Sequence, residues 1–194
     1  MGQRSQIYIK YKNNHDNAIR LIARYFQFNW GHYMVSRARQ LVEVLNEYPV
    51  NIHGENTVVG YAEANFDARS YVSSHDMLAE DWTFTSEETY EDIFEHEDNN
   101  DGCLFIDATE EKKTKYAFIK SNYKENKDDE YEPLDAKQYM ERYKNDSDNG
   151  SAKRNIKFLE QNGILLTKEE LNSFFEDVAP YKKRMSRKQK EHTV

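Results

Sequence analysis

The chain has a single cysteine, Cys103, in 194 residues. No disulfide can form within it, and no zinc site can be built from thiolates. That scarcity favours a reducing compartment. No run approaches the ~20 apolar residues of a membrane span. The start, Met-Gly-Gln-Arg-Ser, carries no apolar stretch of a secretory leader. Gln6 stands where the myristoylation pattern needs Ser or Thr. The expected compartment is the cytoplasm.

Several catalytic signatures are also missing. There is no Gly-x-Ser-x-Gly elbow, no Walker loop and no Gly-rich dinucleotide fingerprint. His15, His32, His53, His75, His96 and His192 show neither HExxH nor another paired ligand spacing. Glu97, Asn99, Asp101 and Gly102 fall near positions 1, 3, 5 and 6 of a calcium loop. Position 12 is Ala108, where a bidentate carboxylate is required. The stretch therefore reads as a tight acidic turn in which Gly102 supplies a positive φ. No metal and no cofactor is expected.

What is present is charge and aromatic surface. Charged residues make up 32% of the chain, apolar residues 38% and aromatic residues 13%, with 14 Tyr and 10 Phe. Tyr brings apolar area with a polar tip, which suits both a thin core and a binding surface. The content is too aromatic for a wholly disordered chain. The charge is segregated. Residues 76–148 hold 9 Lys/Arg against 23 Asp/Glu, whereas residues 181–194 hold 6 against 1. Residues 1–75 are near neutral, with 8 Lys/Arg against 6 Asp/Glu. Such asymmetry bears on partners rather than on fold.

The most regular stretch lies near the N-terminus. In Ser5–Tyr11, Ile7, Ile9 and Tyr11 alternate with Gln6, Tyr8 and Lys10, the period of a half-buried strand. Arg20–Trp30 is apolar on both parities and reads as a central strand covered on both sides. Met34, Val35, Ala38, Leu41, Val42 and Leu45 form one apolar stripe on a helix from about His32 to Asn46, stopped by Pro49. A short strand or helix start is expected at 58–61, a short helix or turn at 78–84, and a helix from Ser86. Cys103–Asp107 and Lys115–Ile119 make a second strand pair. Asp135 caps a short helix with Tyr139 and Met140 on it. A helix from Ser151 carries Ile156 and Leu159 inward and closes at Asn162-Gly163. Thr167-Lys168-Glu169-Glu170 is a capping box ahead of Leu171, Phe174 and Phe175. The expected fold class is α+β: a small antiparallel sheet from two hairpins with helices packed on it. Residues 1–148 form the core domain with its acidic middle, 149–180 a helical segment, and 181–194 a basic tail.

After the metal, thiol and phosphate-loop readings fall away, the first hairpin is the one ordered place for chemistry. Arg24 can hold phosphate bidentately, and His32 can serve in acid–base chemistry of the kind metal-free RNA cleavage uses. With Tyr8 these are the catalytic candidates. Arg4, Gln6, Gln27, Asn29 and Trp30 are candidate nucleic-acid contacts, Trp and Tyr by stacking on unpaired bases. Lys182, Lys183, Arg184, Arg187 and Lys188 of the tail would add salt-dependent phosphate binding. The plainer reading is that Gln27 and Asn29 satisfy backbone groups and Arg24 pairs with acids. Strand parity does not put all eight hairpin groups on one face. The acidic middle can mimic nucleic acid toward a basic groove, or be simply a solvated face.

Three motifs carry a resemblance. In Met-Gly-Gln-Arg-Ser-Gln-Ile-Tyr, Leu-Ile-Ala-Arg-Tyr-Phe-Gln-Phe-Asn-Trp-Gly and Asp-Asn-Asn-Asp-Gly-Cys-Leu-Phe-Ile-Asp, the chain resembles a family of small proteins. These are carried by phages, prophages and plasmids of Gram-positive bacteria. The resemblance spans roughly residues 1–120. Its genetic setting implies an anti-defence protein similar to type II-A anti-CRISPR proteins. The implied partner is a Cas9-type nuclease or its guide RNA, blocked by contact or by metal-independent RNA cleavage. An acidic module that blocks a basic groove, and an accessory protein of phage replication or regulation, are the alternatives. A homodimer is left open.

Overall fold

A strand with apolar side chains on one parity and mixed ones on the other needs cover on both faces. β1 (Ser5–Lys12) obtains it, and Ser5 to Tyr11 are all buried. The computed structural model describes residues 5–12, 17–26, 31–47, 77–78, 101–120, 131–143 and 149–178. Its elements are β1, β2 (Ile19–Phe26), α1 (Gly31–Glu47), β3 (Met77–Leu78), β4 (Cys103–Ala108), β5 (Lys115–Ile119), α2 (Ala136–Met140), α3 (Asn149–Asn162), β6 (Ile164–Leu165) and α4 (Lys168–Asn172). A 3-10 turn, Glu141–Tyr143, follows α2. The fold is α+β.

The six strands form one sheet in the order β3-β2-β1-β4-β5-β6. Both expected hairpins are there, β1 against β2 and β4 against β5, each antiparallel. The junction between them corrects the expectation of an all-antiparallel sheet. β1 and β4 run parallel, Gln6 opposite Cys103, Tyr8 opposite Phe105 and Lys10 opposite Asp107. The sheet is therefore mixed, and β1 and β4 are its central pair. β1, expected to be half-buried, is closed on both sides. Leu78, expected in a short helix or turn, belongs to edge strand β3, paired with Arg24. The elements expected at 58–61 and from Ser86 lie outside the described residues.

Each face has its own core. On one, Ile7, Ile9, Tyr11, Leu104, Ile106, Tyr116 and Phe118 meet the stripe of α1, together with Ala136, Tyr139 and Met140 of α2 and Ala152 and Leu159 of α3. This is the helix face. The stripe spacing read in the sequence thus packs as expected. α3 lies along α1, with the Arg39 guanidinium 5.0 Å from the Phe158 ring centroid. On the other face, Tyr8, Leu21, Cys103, Phe105, Ala117 and Ile119 meet Leu166, Leu171 and Phe174. This is the cap face, and the segment 166–178 is its cap. Both capping boxes form: Asp135 with Gln138 on α2, and Thr167 with Glu170 on α4. Among the described residues no helix is long and apolar enough to cross a membrane.

Asp101-Gly102 is a tight turn at the entry to β4. Gly102 has φ +90°, and a Cβ there would fall on the Ile119 carbonyl oxygen. Its own carbonyl accepts from the Gln6 amide at 3.3 Å. The Asp101 carbonyl accepts from both Tyr139 Oη at 2.6 Å and Tyr143 Oη at 3.1 Å, and Asp101 Oδ1 accepts from Tyr143 at 3.0 Å. The Tyr143 ring in turn lies against Gly31, where any Cβ would collide with it. One turn therefore joins β1, β4, β5, α2 and the start of α1. Gly102→Ala combines a left-handed backbone with a backbone clash, so it should destabilise the fold by at least about 2 kcal/mol. Urea denaturation measures this, and an unchanged midpoint would show that the turn is dispensable.

Candidate functional site

The polar side chains that the sequence frame gathers lie in a row along the cap face of β1. Gln6, Tyr8 and Lys10 sit at successive same-side positions, facing Cys103, Phe105 and Asp107 across the parallel register. Tyr8 Oη donates to Gln6 Oε1. Cys103 Sγ lies 3.8 Å from the same oxygen. Gln6 is 1% exposed, and its Nε2 has no hydrogen-bond partner among the described residues. Loss of hydration raises the Cys103 thiol pKa well above its ordinary value, against the opposing hydrogen bond from Gln6, and keeps the thiol neutral. Such a thiol is inert as a nucleophile.

The middle of the row is aromatic. Tyr8 and Phe105 are stacked with centroids 5.3 Å apart. Phe174 meets Phe105 edge-on at 5.0 Å, and Phe175 meets Tyr8 edge-on at 5.4 Å. Both partners come from the cap, so Tyr8 is a core residue.

The far end is ionic. Lys10, 7% exposed, places Nζ 3.1 Å from Asp177 Oδ1 and 3.6 Å from Asp107 Oδ2, and 4.7 Å from the Phe174 ring centroid. A buried ammonium is tolerable only when paired in this way. Asp107 also accepts from Thr109 N at 2.9 Å and Oγ1 at 2.6 Å. Beside it, Lys115 Nζ lies 2.6 Å from Glu170 Oε1 and 4.0 Å from Glu110 Oε1. Among the described residues no group of three or more His, Cys, Asp or Glu side chains is placed to hold a metal ion.

The candidates named from sequence fall in different places. Gln6 and Tyr8 are brought together, but inside the core. Arg24 pairs in register with Ile7, whose side chain belongs to the helix-face cluster, not with Tyr8. His32 is buried in the first turn of α1 with its ring 4.2 Å from that of Tyr33. Arg4, Gln27, Asn29, Trp30, Lys182, Lys183, Arg184, Arg187 and Lys188 lie outside the described residues. The frame thus does not set Tyr8 beside His32 or the Arg24 backbone position as one reactive set.

Lys10, Asp107, Asp177, Phe174 and Phe175 were not singled out from the sequence as site residues. Lys10 continues the parity of Gln6 and Tyr8, which was a usable signal. Asp177 had none, because 167 residues separate it from its partner.

The Lys115–Glu170 pair sets a pH dependence. The hydrogen bond to Lys115 holds the Glu170 carboxyl below its ordinary 4.5, and the bond to Glu170 raises Lys115 above its ordinary 10.5. A lowered acid contributes stability above its unfolded pKa and loses it as pH falls through the folded one. A raised base contributes below its unfolded pKa and loses it as pH rises through the folded one. Glu170→Gln keeps the capping-box acceptor and removes the charge. It should cost about 0.5–1 kcal/mol at neutral pH, since the pair is part-exposed. The difference from wild type should shrink below pH 4.5 and again above pH 10.5. Urea denaturation at stepped pH reads it; a gap that does not vary with pH would mean the charges contribute nothing. In comparisons with known proteins, no family model, no curated protein and no solved structure matches the chain.

Proposed function

We propose that the protein is an anti-defence protein of a mobile genetic element that disables a Cas9-type nuclease in the cytoplasm of the bacterial host. It acts by binding the enzyme or its guide-RNA complex, not by cutting RNA. The observation that carries the binding reading is the burial of Tyr8 and Gln6. Tyr8 is 1% exposed and its hydroxyl is engaged by Gln6. A group closed off in this way cannot take or give a proton to a bound phosphodiester. Arg24 stands at a register position on the opposite parity. A contact inhibitor needs no such assembly; it needs complementary charge.

The sequence provides that charge in separate blocks, with 23 Asp/Glu against 9 Lys/Arg in residues 76–148 and 6 Lys/Arg against 1 Glu in residues 181–194. The acidic block suits a basic nucleic-acid groove of the partner, and the basic block suits its RNA. Complementary charge of this kind raises association rates and fades with salt.

The test uses Cas9, labelled guide RNA and this protein together, with the RNA run on a denaturing gel and target DNA cleavage followed alongside. The expected result is intact RNA and loss of DNA cleavage at near-equimolar inhibitor. Shortened RNA would replace the binding reading with a ribonuclease. Full DNA cleavage across several Cas9 types would remove the target altogether.

A further inference from the structure

α3 is charged against its own stability. A helix favours acids in its first turn and bases in its last. α3 has neither, and its one acid, Glu160, stands in the last turn. Its three bases, Lys153, Arg154 and Lys157, come earlier, and all three are exposed. Lys157 lies four residues from Lys153 and three from Arg154, spacings at which like charges repel across a helix surface.

Acids able to relieve this repulsion are plentiful, with 35 Asp/Glu against 27 Lys/Arg in the chain. Other cations find them. Lys10, Arg39, Lys113, Lys115 and Lys168 each reach a carboxylate. Lys153, Arg154 and Lys157 reach none among the described residues. At 3.6 residues per turn the three fall within about 100° of arc. That arc lies opposite the buried side formed by Ala152, Asn155 and Leu159. The positions of Gly150 and Gln161 fall inside it. A Cβ at Gly150 would meet nothing within 4 Å, so the start of the row is open ground.

Such a face calls for an anion, and its other properties say which. A helix that adsorbs to a membrane needs an apolar side to insert. The apolar side of α3 is spent within the protein: Ala152 and Leu159 are buried, and Ile156 and Phe158 pack against the same cluster. A protein partner is held by aromatic or aliphatic anchors, and the exposed arc has none. Nor does the arc offer a ring to stack on unpaired bases. Phe158, the one ring of α3, lies under the Arg39 guanidinium. What remains is the equipment for backbone contact: cations spread over about 6 Å of a rigid axis, with a side-chain amide beyond them. A duplex presents one phosphate charge per about 1.7 Å of its axis, dense enough to meet all three.

We propose that the outer face of α3 is a docking surface for the phosphate backbone of double-helical nucleic acid. Lys153, Arg154 and Lys157 each take a phosphate, and no base is read. This does not depend on the Cas9 partner proposed above, and the test contains no Cas9, so either idea can fail alone.

The test titrates the full-length protein, and its triple variant Lys153→Gln/Arg154→Gln/Lys157→Gln, into a short fluorescein-labelled DNA duplex at stepped salt. The wild-type slope of log affinity against log salt should be steeper than the variant's by about 2.7, at ~0.9 per phosphate contact. At low salt the variant should bind at least about tenfold more weakly. A second duplex of unrelated sequence should bind as well as the first; a preference between them overturns the backbone reading. Equal slopes in the two proteins, as binding through the tail alone would give, overturn the proposal. So does absence of duplex binding, or capture by phosphatidylserine vesicles in its place. Urea denaturation supplies the control. Gln is a good helix former and removes the repulsion, so the variant should unfold at the same or a higher urea concentration. A lower midpoint would assign the three cations to folding and overturn their role as a docking surface.

Discussion

The parallel pairing of β1 with β4 is the constraint on which the rest depends. It joins two local hairpins into one sheet and fixes which side chains face which cover. In register, Gln6 lies opposite Cys103, Tyr8 opposite Phe105 and Lys10 opposite Asp107. A slip of one residue would turn Ile7 and Ile9 toward the cap and send Tyr8 under α1. The register is pinned at its start by the Gly102 carbonyl, which takes the Gln6 amide, and by Asp101, whose carbonyl is held by two tyrosines. Burial holds the Tyr139 hydroxyl pKa well above its ordinary value, with its bond to Tyr143 adding to the shift, so the pin keeps its proton across the working pH range. Desolvation likewise pushes Tyr116, on the same side of the sheet, up to about 12.

The local elements were legible in the sequence because each is encoded by neighbours. The α1 stripe recurs at spacings of three and four, and both capping boxes are four-residue signals. The β1 and β4–β5 strands came from alternation and β-branched or aromatic runs. The join between hairpins was not legible. A period of two says which residues share a face, not which strand lies alongside, and the partner of β1 is nearly a hundred residues away.

Burial of the polar parity of β1 was misread for a related reason. Gln6 and Lys10 look like solvent-side residues until their partners are known. Those partners, Asp177 and the rings of Phe174 and Phe175, arrive from the C-terminal cap. The site shares this property. Tyr8 and Gln6 were identifiable as an unusual polar pair on an ordered strand, whereas their enclosure depends on chain that no local pattern links to them. Arg37 follows the same logic on the other side: it stands off the apolar stripe and is buried nonetheless.

The bridge of Val178 to Ile19 ties the last described residue to the start of the second strand. During synthesis, then, the first strand gains α1 early, but it waits for β4 to gain its parallel neighbour, and for Phe174 to close the face that carries Tyr8. At ribosomal speeds of ~5–20 residues per second that interval is on the order of ten seconds. Through that interval Tyr8 lacks the cap that buries it, whereas Ile7 and Ile9 have α1 close behind them in the chain. The face that carries Tyr8 is completed only by the segment 166–178.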